Sequence, residues 1–145
     1  MLTSSRRPFD GIGNTQAAVL RYLRRKQSAS RAEIAELCGV TPAAVSMMTR
    51  DLIERGIVLE GAKRQVGRGA PQIDLSLNPS IGFALGVHAN RFSITLSLLD
   101  FGGIMVGELH LPGRYDTFAE VQNEIRNGKD RLLAQGGVGN NQLIG

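Results

Sequence analysis

The sequence predicts an α+β chain, a winged helix-turn-helix over residues 14–79 followed by an incomplete α/β unit over residues 80–145. Three observations predict it. Two well-capped helical patterns meet at a tight glycine turn, Cys38-Gly39-Val40-Thr41, as in a helix-turn-helix. After Gly56 the apolar period changes from that of a helix to that of a strand. After Asn78-Pro79 the composition shifts again, to three strand patterns and a further helix.

Residues 1–13 are polar and basic, with Pro8 and Gly11, and read as a flexible arm. From Asn14, Val19, Leu20 and Leu23 recur at helical spacing, with Asn14 or Thr15 as cap. The closing run Arg24-Arg25-Lys26 suits the negative end of the helix dipole. The second helix opens on a capping box, Ser30-Arg31-Ala32-Glu33, in which the Ser hydroxyl accepts a backbone N–H and the Glu reaches back. Ile34, Ala35 and Leu37 give its apolar face, and Gly39 stops it. Thr41 caps the third helix, with Pro42 at its first position, where a missing N–H costs nothing. That helix runs to about Arg55 with Val45, Met48 and Leu52 facing inward, and Gly56 ends it.

Ile57-Val58-Leu59-Glu60 and the alternating stretch Gln72–Leu77 read as two strands. Between them, Gly61–Pro71 is a glycine-rich basic hairpin loop, the expected wing. Beyond the Leu77-Asn78-Pro79 junction, Ile81–His88, Phe92–Asp100 and Ile104–Leu111 read as strands, with a turn at Asp100-Phe101-Gly102-Gly103. A helix over Thr117 to about Ala134 follows, and Gln142–Gly145 reads as the start of another strand, giving the order β-β-β-α-β.

Composition narrows the function classes. Hydrophobic residues are 42% of the chain and aromatic residues 5%, with no Trp, so aliphatic side chains must build the core. No apolar run approaches the roughly 18 residues of a membrane span, and Arg6-Arg7 are followed by no apolar stretch of a secretory signal. The one cysteine, Cys38, excludes an internal disulfide and a cysteine-rich zinc site. A cytoplasmic location, no cofactor and no membrane partner are expected. The net charge of +4 is uneven: residues 1–71 carry 12 Lys and Arg against 6 Asp and Glu, whereas residues 72–145 carry 5 against 7. The whole excess lies in the first half, the footprint of a polyanion partner.

These features converge on double-stranded DNA. A recognition helix enters the major groove with its N-terminal part against base edges. With Val45, Met48 and Leu52 inward, Ala43, Ala44, Ser46, Met47 and Arg50 face outward. Ser46 can hydrogen-bond a base or a phosphate, Ala43, Ala44 and Met47 can meet a thymine methyl, and Arg50 can reach a phosphate or a guanine. Thr41 caps the helix and can bring its N-terminal amides to a phosphate. Arg31 lies where the second helix crosses the phosphate backbone. Lys63, Arg64 and Arg68 sit on the expected wing loop. Gly67-Arg68-Gly69 projects one arginine from close-approaching backbone, which suits a narrow A·T-rich minor groove.

The residues Asn14, Val19-Leu20, Ser30-Arg31-Ala32-Glu33-Ile34-Ala35, Val45-Ser46, Leu52, Gly56-Ile57-Val58, Gly67-Arg68 and Leu75-Ser76-Leu77-Asn78-Pro79 together resemble ROK-family transcriptional repressors, regulators of sugar metabolism. The likeness continues through Gly82-Phe83-Ala84-Leu85-Gly86-Val87 to Leu99-Asp100-Phe101-Gly102-Gly103. It implies that residues 80–145 begin a sugar-kinase-like, ribonuclease H-like domain, and that the chain acts as a homodimeric repressor of carbohydrate-metabolism genes. A sugar effector is implied only with family segments beyond this sequence. Sugar kinases of the family carry an Asp-x-Gly phosphate motif where this chain has His88-Ala89-Asn90, so no sugar phosphorylation is expected. Proline commonly follows the wing arginine directly, whereas here Gly69 and Ala70 precede Pro71. Two other classes stand beside this reading, a remnant sugar kinase and a module for protein interaction or dimerisation. Loss of the phosphate motif opposes the first, and the basic first half opposes the second.

Overall fold

The computed structural model describes residues 8–64 and 71–145, and divides into two compact units, one ending at Asn78 and the other starting at Pro79. Each unit is mixed α and β, with its own three-stranded antiparallel sheet.

In the first unit, helix α1 (Asn14–Lys26) buries Val19 and Leu23. Its cap is Gly13, one residue earlier than expected: the Gly13 N–H donates to the Gln16 side-chain oxygen at 3.1 Å. Helix α2 (Arg31–Cys38) starts on the expected capping box, with Ser30 Oγ accepting from Glu33 N–H at 3.3 Å and Ser30 N–H donating to Glu33 Oε2 at 2.7 Å. It ends at Gly39 in the left-handed conformation (φ 63°), which a side chain would strain. Leu37, expected on the buried face, is 48% exposed; Ile34 and Ala35 alone point into the core.

Helix α3 (Pro42–Glu54) is capped by Thr41, whose Oγ1 accepts from Ala44 N–H at 3.2 Å. Its buried residues are Val45, Thr49 and Leu52, while Met48 is half-buried. Thr49 escapes a hydropathy pattern. It is tolerated inside because its hydroxyl donates to the Val45 carbonyl at 2.8 Å.

A short strand, β1 (Ser28–Ser30), pairs antiparallel with β3 (Gln72–Leu77), which pairs in turn with β2 (Val58–Arg64), giving the sheet order β1-β3-β2. The second strand was expected to stop at Glu60. Instead a register shift between Glu60 and Lys63 lets it continue, with Lys63 opposite Ile73 and Arg64 opposite Gln72. Gly61 fits beside the Asp74 carbonyl, where an added Cβ would come within 3.2 Å of that oxygen. The core of this unit joins Val19, Leu23, Ala29, Ile34, Val45, Leu52, Ile57, Val58, Leu75 and Leu77.

Of the expected flexible arm, residues 1–7 lie outside the described residues. Residues 8–11 form a turn, and the Arg55 guanidinium donates to the carbonyls of Pro8 and Asp10, the latter at 2.6 Å.

In the second unit, β4 (Phe83–Asn90), β5 (Ser93–Asp100) and β6 (Met105–Pro112) form a meander in the order β4-β5-β6. The β5–β6 turn lies at Asp100–Gly103, as expected: Gly103 has φ 87° and donates to the Asp100 carbonyl at 3.0 Å. Helix α4 (Phe118–Gly136) packs Leu132 and Leu133 on Ile94, Leu96, Leu98 and Leu111. Where a strand start was expected at Gln142–Gly145, a 3-10 turn covers Asn140–Gln142. The residues after it run parallel to β4 through a Phe83–Leu143 bridge and two backbone hydrogen bonds, Ile144 N–H to the Phe83 carbonyl and Leu85 N–H to the Gly145 carbonyl.

Candidate nucleic-acid interface

The first unit mounts α3 by its inner face. Val45, Thr49 and Leu52 are each 0% exposed, which fixes the rotation of the helix about its axis. A polar tie from α1 holds the far side, with Gln16 Nε2 donating to Asp51 Oδ2 at 3.0 Å. This rotation leaves Ala43, Met47 and Arg50 exposed, at positions i, i+4 and i+7 of one stripe. Ala44 and Ser46 are half-buried along its margins. Met47 is 75% exposed, far more than an apolar side chain needs for any role inside this unit. The Ser46 hydroxyl donates to the Pro42 carbonyl at 3.0 Å.

Thr41 uses its side-chain oxygen for the cap. Arg31, at the first position of α2, forms an ion pair with Glu60 on β2, and its side chain is 26% exposed. The pairing with Glu60 escaped the sequence reading because the two residues are 29 apart and meet only through the β2–β3 hairpin. A phosphate contact by Arg31 would have to compete with that carboxylate or share the guanidinium with it.

Lys63 and Arg64 were expected on the hairpin loop, but both belong to β2, with Lys63 exposed. The bulge after Glu60 explains the difference, because it extends the pairing by two residues toward the loop. Arg68 and its flanking glycines lie outside the described residues.

A groove of about 550 Å³ in this unit is lined by Ala18, Arg21, Tyr22, Arg25, Leu37 and Cys38 of α1 and α2, among others, and none of these was in the predicted contact set. Major-groove reading needs a protruding helix and not a concavity, so the exposed stripe of α3 is the stronger candidate. Among the described residues no group of three His, Cys, Asp or Glu side chains could hold a metal ion. No helix among them is long and apolar enough to cross a membrane.

In the second unit, His88 and Asn90 lie on exposed β4. Asn90 caps its own turn, accepting from the backbone N–H groups of Phe92 and Ser93 at 2.8 and 2.9 Å. Asn90 thereby closes the β4–β5 hairpin.

The MarR family model matches residues 10–68. The DNA-binding transcriptional dual regulator NagC of Escherichia coli K12 is 33% identical over 111 residues, covering 77% of this chain and 27% of that protein. A putative xylose repressor of Caldicellulosiruptor sp. is 28% identical over 93 residues, covering 64% of this chain and 23% of that protein. The chain thus spans about a quarter of the length of these curated relatives. A solved ROK family transcriptional regulator, a homologue of the E. coli MLC protein, superposes with a TM-score of 0.57 at 22% identity, over 83% of this chain and 33% of that one. That likeness supports the fold alone. The chain carries a MarR-type helix-turn-helix and is homologous to ROK-family transcriptional repressors.

Proposed function

We propose that this chain binds double-stranded DNA as part of a transcriptional repressor of carbohydrate-metabolism genes. The observation that carries the reading is the outward stripe of α3: Ala43, Met47 and Arg50 are exposed on a helix whose other face is fully buried. In this reading α3 lies in the major groove, with Ala43, Ala44, Ser46, Met47 and Arg50 toward the bases. Thr41 and Arg31 stand at the phosphate backbone. Lys63, Arg64 and Arg68 belong to the wing, with Arg68 entering the minor groove. The chain acts as a homodimer on a two-fold operator. Residues 14–79 form the DNA-binding domain, and residues 80–145 begin a ribonuclease H-like domain that does not phosphorylate sugars and answers a sugar effector only with further family segments.

A mobility shift with duplex DNA at low salt tests the reading. The chain retards the duplex, and Arg68→Ala weakens binding most on A·T-rich sites. Equal weakening on all sites removes the minor-groove role of Arg68, and a chain that retards no duplex removes the whole reading.

A further inference from the structure

The Ser46 hydroxyl lies 3.0 Å from the Pro42 carbonyl oxygen. A carbonyl can only accept, so the Ser46 hydrogen is committed to the backbone and the oxygen of this half-buried residue is left as an acceptor. The surface around it is apolar. Ala43 lies one turn before Ser46, and Met47 stands beside it with three quarters of its surface exposed. Residues at i, i+3 and i+4 are neighbours on a helix, so Ala43, Ser46 and Met47 form one patch, an acceptor oxygen flanked by methyl and thioether groups. Arg50 lies a turn further on and brings donors only.

In the major groove the amino groups of adenine and cytosine donate, guanine presents two acceptors, and thymine adds a methyl group. The A·T pair therefore offers a donor on adenine and, past the thymine O4 acceptor, a methyl group, the two chemistries that this patch complements. Resting on the reading of α3 as a DNA-reading helix, we propose that Ser46 and Met47 select an A·T pair, the adenine amino group donating to Ser46 Oγ and the thymine methyl packing on Met47. A guanine in that place would set acceptors against an acceptor, unless the hydroxyl abandoned Pro42. The commitment of Ser46 to Pro42 thus makes an otherwise ambivalent hydroxyl selective for an amino group, and the methyl contact of Met47 separates the adenine pair from the cytosine pair.

The test uses the 145-residue chain to select duplexes from a random pool. Each A·T pair of the selected site is then replaced, in turn, by one whose purine lacks the 6-amino group or whose thymine is uracil. At one pair, loss of the amino group weakens wild-type binding roughly fivefold, the worth of one neutral hydrogen bond. Loss of the methyl there weakens it roughly fourfold, the worth of one apolar carbon. Ser46→Ala becomes indifferent to the amino group and Met47→Ala to the methyl, each variant keeping its response to the other analogue. Alanine favours helix at both positions, circular dichroism checks the fold, and the analogues leave the protein untouched. The proposal is overturned if no pair shows both penalties, or if the variants keep the penalties of the wild type. A wild-type chain that retains no duplex overturns the DNA-binding reading itself, an outcome distinct from binding without these penalties.

Discussion

Truncating Leu52 separates the two faces of α3 energetically. Leu52 is 0% exposed and packs in the same inward row as Val45, two turns away. Leu52→Ala removes apolar atoms and leaves a cavity that the helix cannot close while Val45 and Thr49 hold its rotation, a loss of about 2–5 kcal/mol. A unit of this size is stabilised by roughly 4–10 kcal/mol, so the change removes on the order of half its stability. Met47→Ala, five residues earlier on the exposed stripe, shifts stability by less than about 0.5 kcal/mol. Urea unfolding followed by helical circular dichroism measures both. Leu52→Ala lowers the midpoint strongly with an unchanged slope, and Met47→Ala leaves it in place. A loss below about 1 kcal/mol for Leu52→Ala, or a comparable loss for Met47→Ala, would refute the assignment of inner and outer faces.

Other outcomes follow from single contacts. Ser30→Ala removes both side-chain bonds to Glu33 at the start of α2 and costs about 1 kcal/mol, read by the same unfolding assay. Gly128→Val in α4 destabilises the second unit by about 1–3 kcal/mol, because even a Cβ there would lie 2.6 Å from Leu96 Cδ1 and 2.8 Å from Leu111 Cδ1; differential scanning calorimetry reads the loss. Backbone N–H groups of Thr117 and Asp116, with the Thr117 hydroxyl, hold the Glu120 carboxyl below its usual range. Its contribution to α4 is therefore present above the ordinary glutamate pKa and disappears as the pH falls through the lowered one. An NMR titration of the Glu120 side chain detects the depressed midpoint, and Glu120→Gln removes that part of the acid dependence.

Capping chemistry made much of the first unit legible from sequence. Ser30…Glu33, Gly39 and Thr41-Pro42 are local signals, so α2 and α3 follow from a few adjacent residues. What escaped was non-local. Strand β1 is Ser-Ala-Ser, without a β-branched residue, and is a strand only because β3 pairs with it. The exposure of Leu37, the burial of Thr49 and the Arg31–Glu60 pair depend on which surfaces other elements cover. Lys63 and Arg64 fell on a strand because a bulge at Gly61-Ala62 carries the pairing past the glycine that suggested a loop. In the second unit the strand expected over Phe92–Asp100 contains β5, whose alternate residues Ile94, Leu96 and Leu98 are buried in the core. The last segment has a strand-like sequence and lies parallel to β4, bridging Phe83 through Leu143, with the Ile144 N–H donating to the Phe83 carbonyl at 2.9 Å and the Leu85 N–H to the Gly145 carbonyl at 2.8 Å. For the candidate site, the helical period identified Ala43, Met47 and Arg50 as outward, whereas the half-burial of Ala44 and Ser46 and the commitment of the Ser46 hydroxyl required coordinates.

In the proposed function the first unit meets the phosphates and bases of duplex DNA. Fluorescence anisotropy of a labelled duplex across a salt series tests it most directly. Each phosphate neutralised contributes about −0.9 to the slope of log K against log salt, so Arg31, Arg50, Lys63, Arg64 and Arg68 give at most about −4.5 per protomer. A steep negative slope is expected, becoming shallower when these residues are replaced one by one. Binding indifferent to salt, or no binding to duplex DNA at low salt, would contradict it.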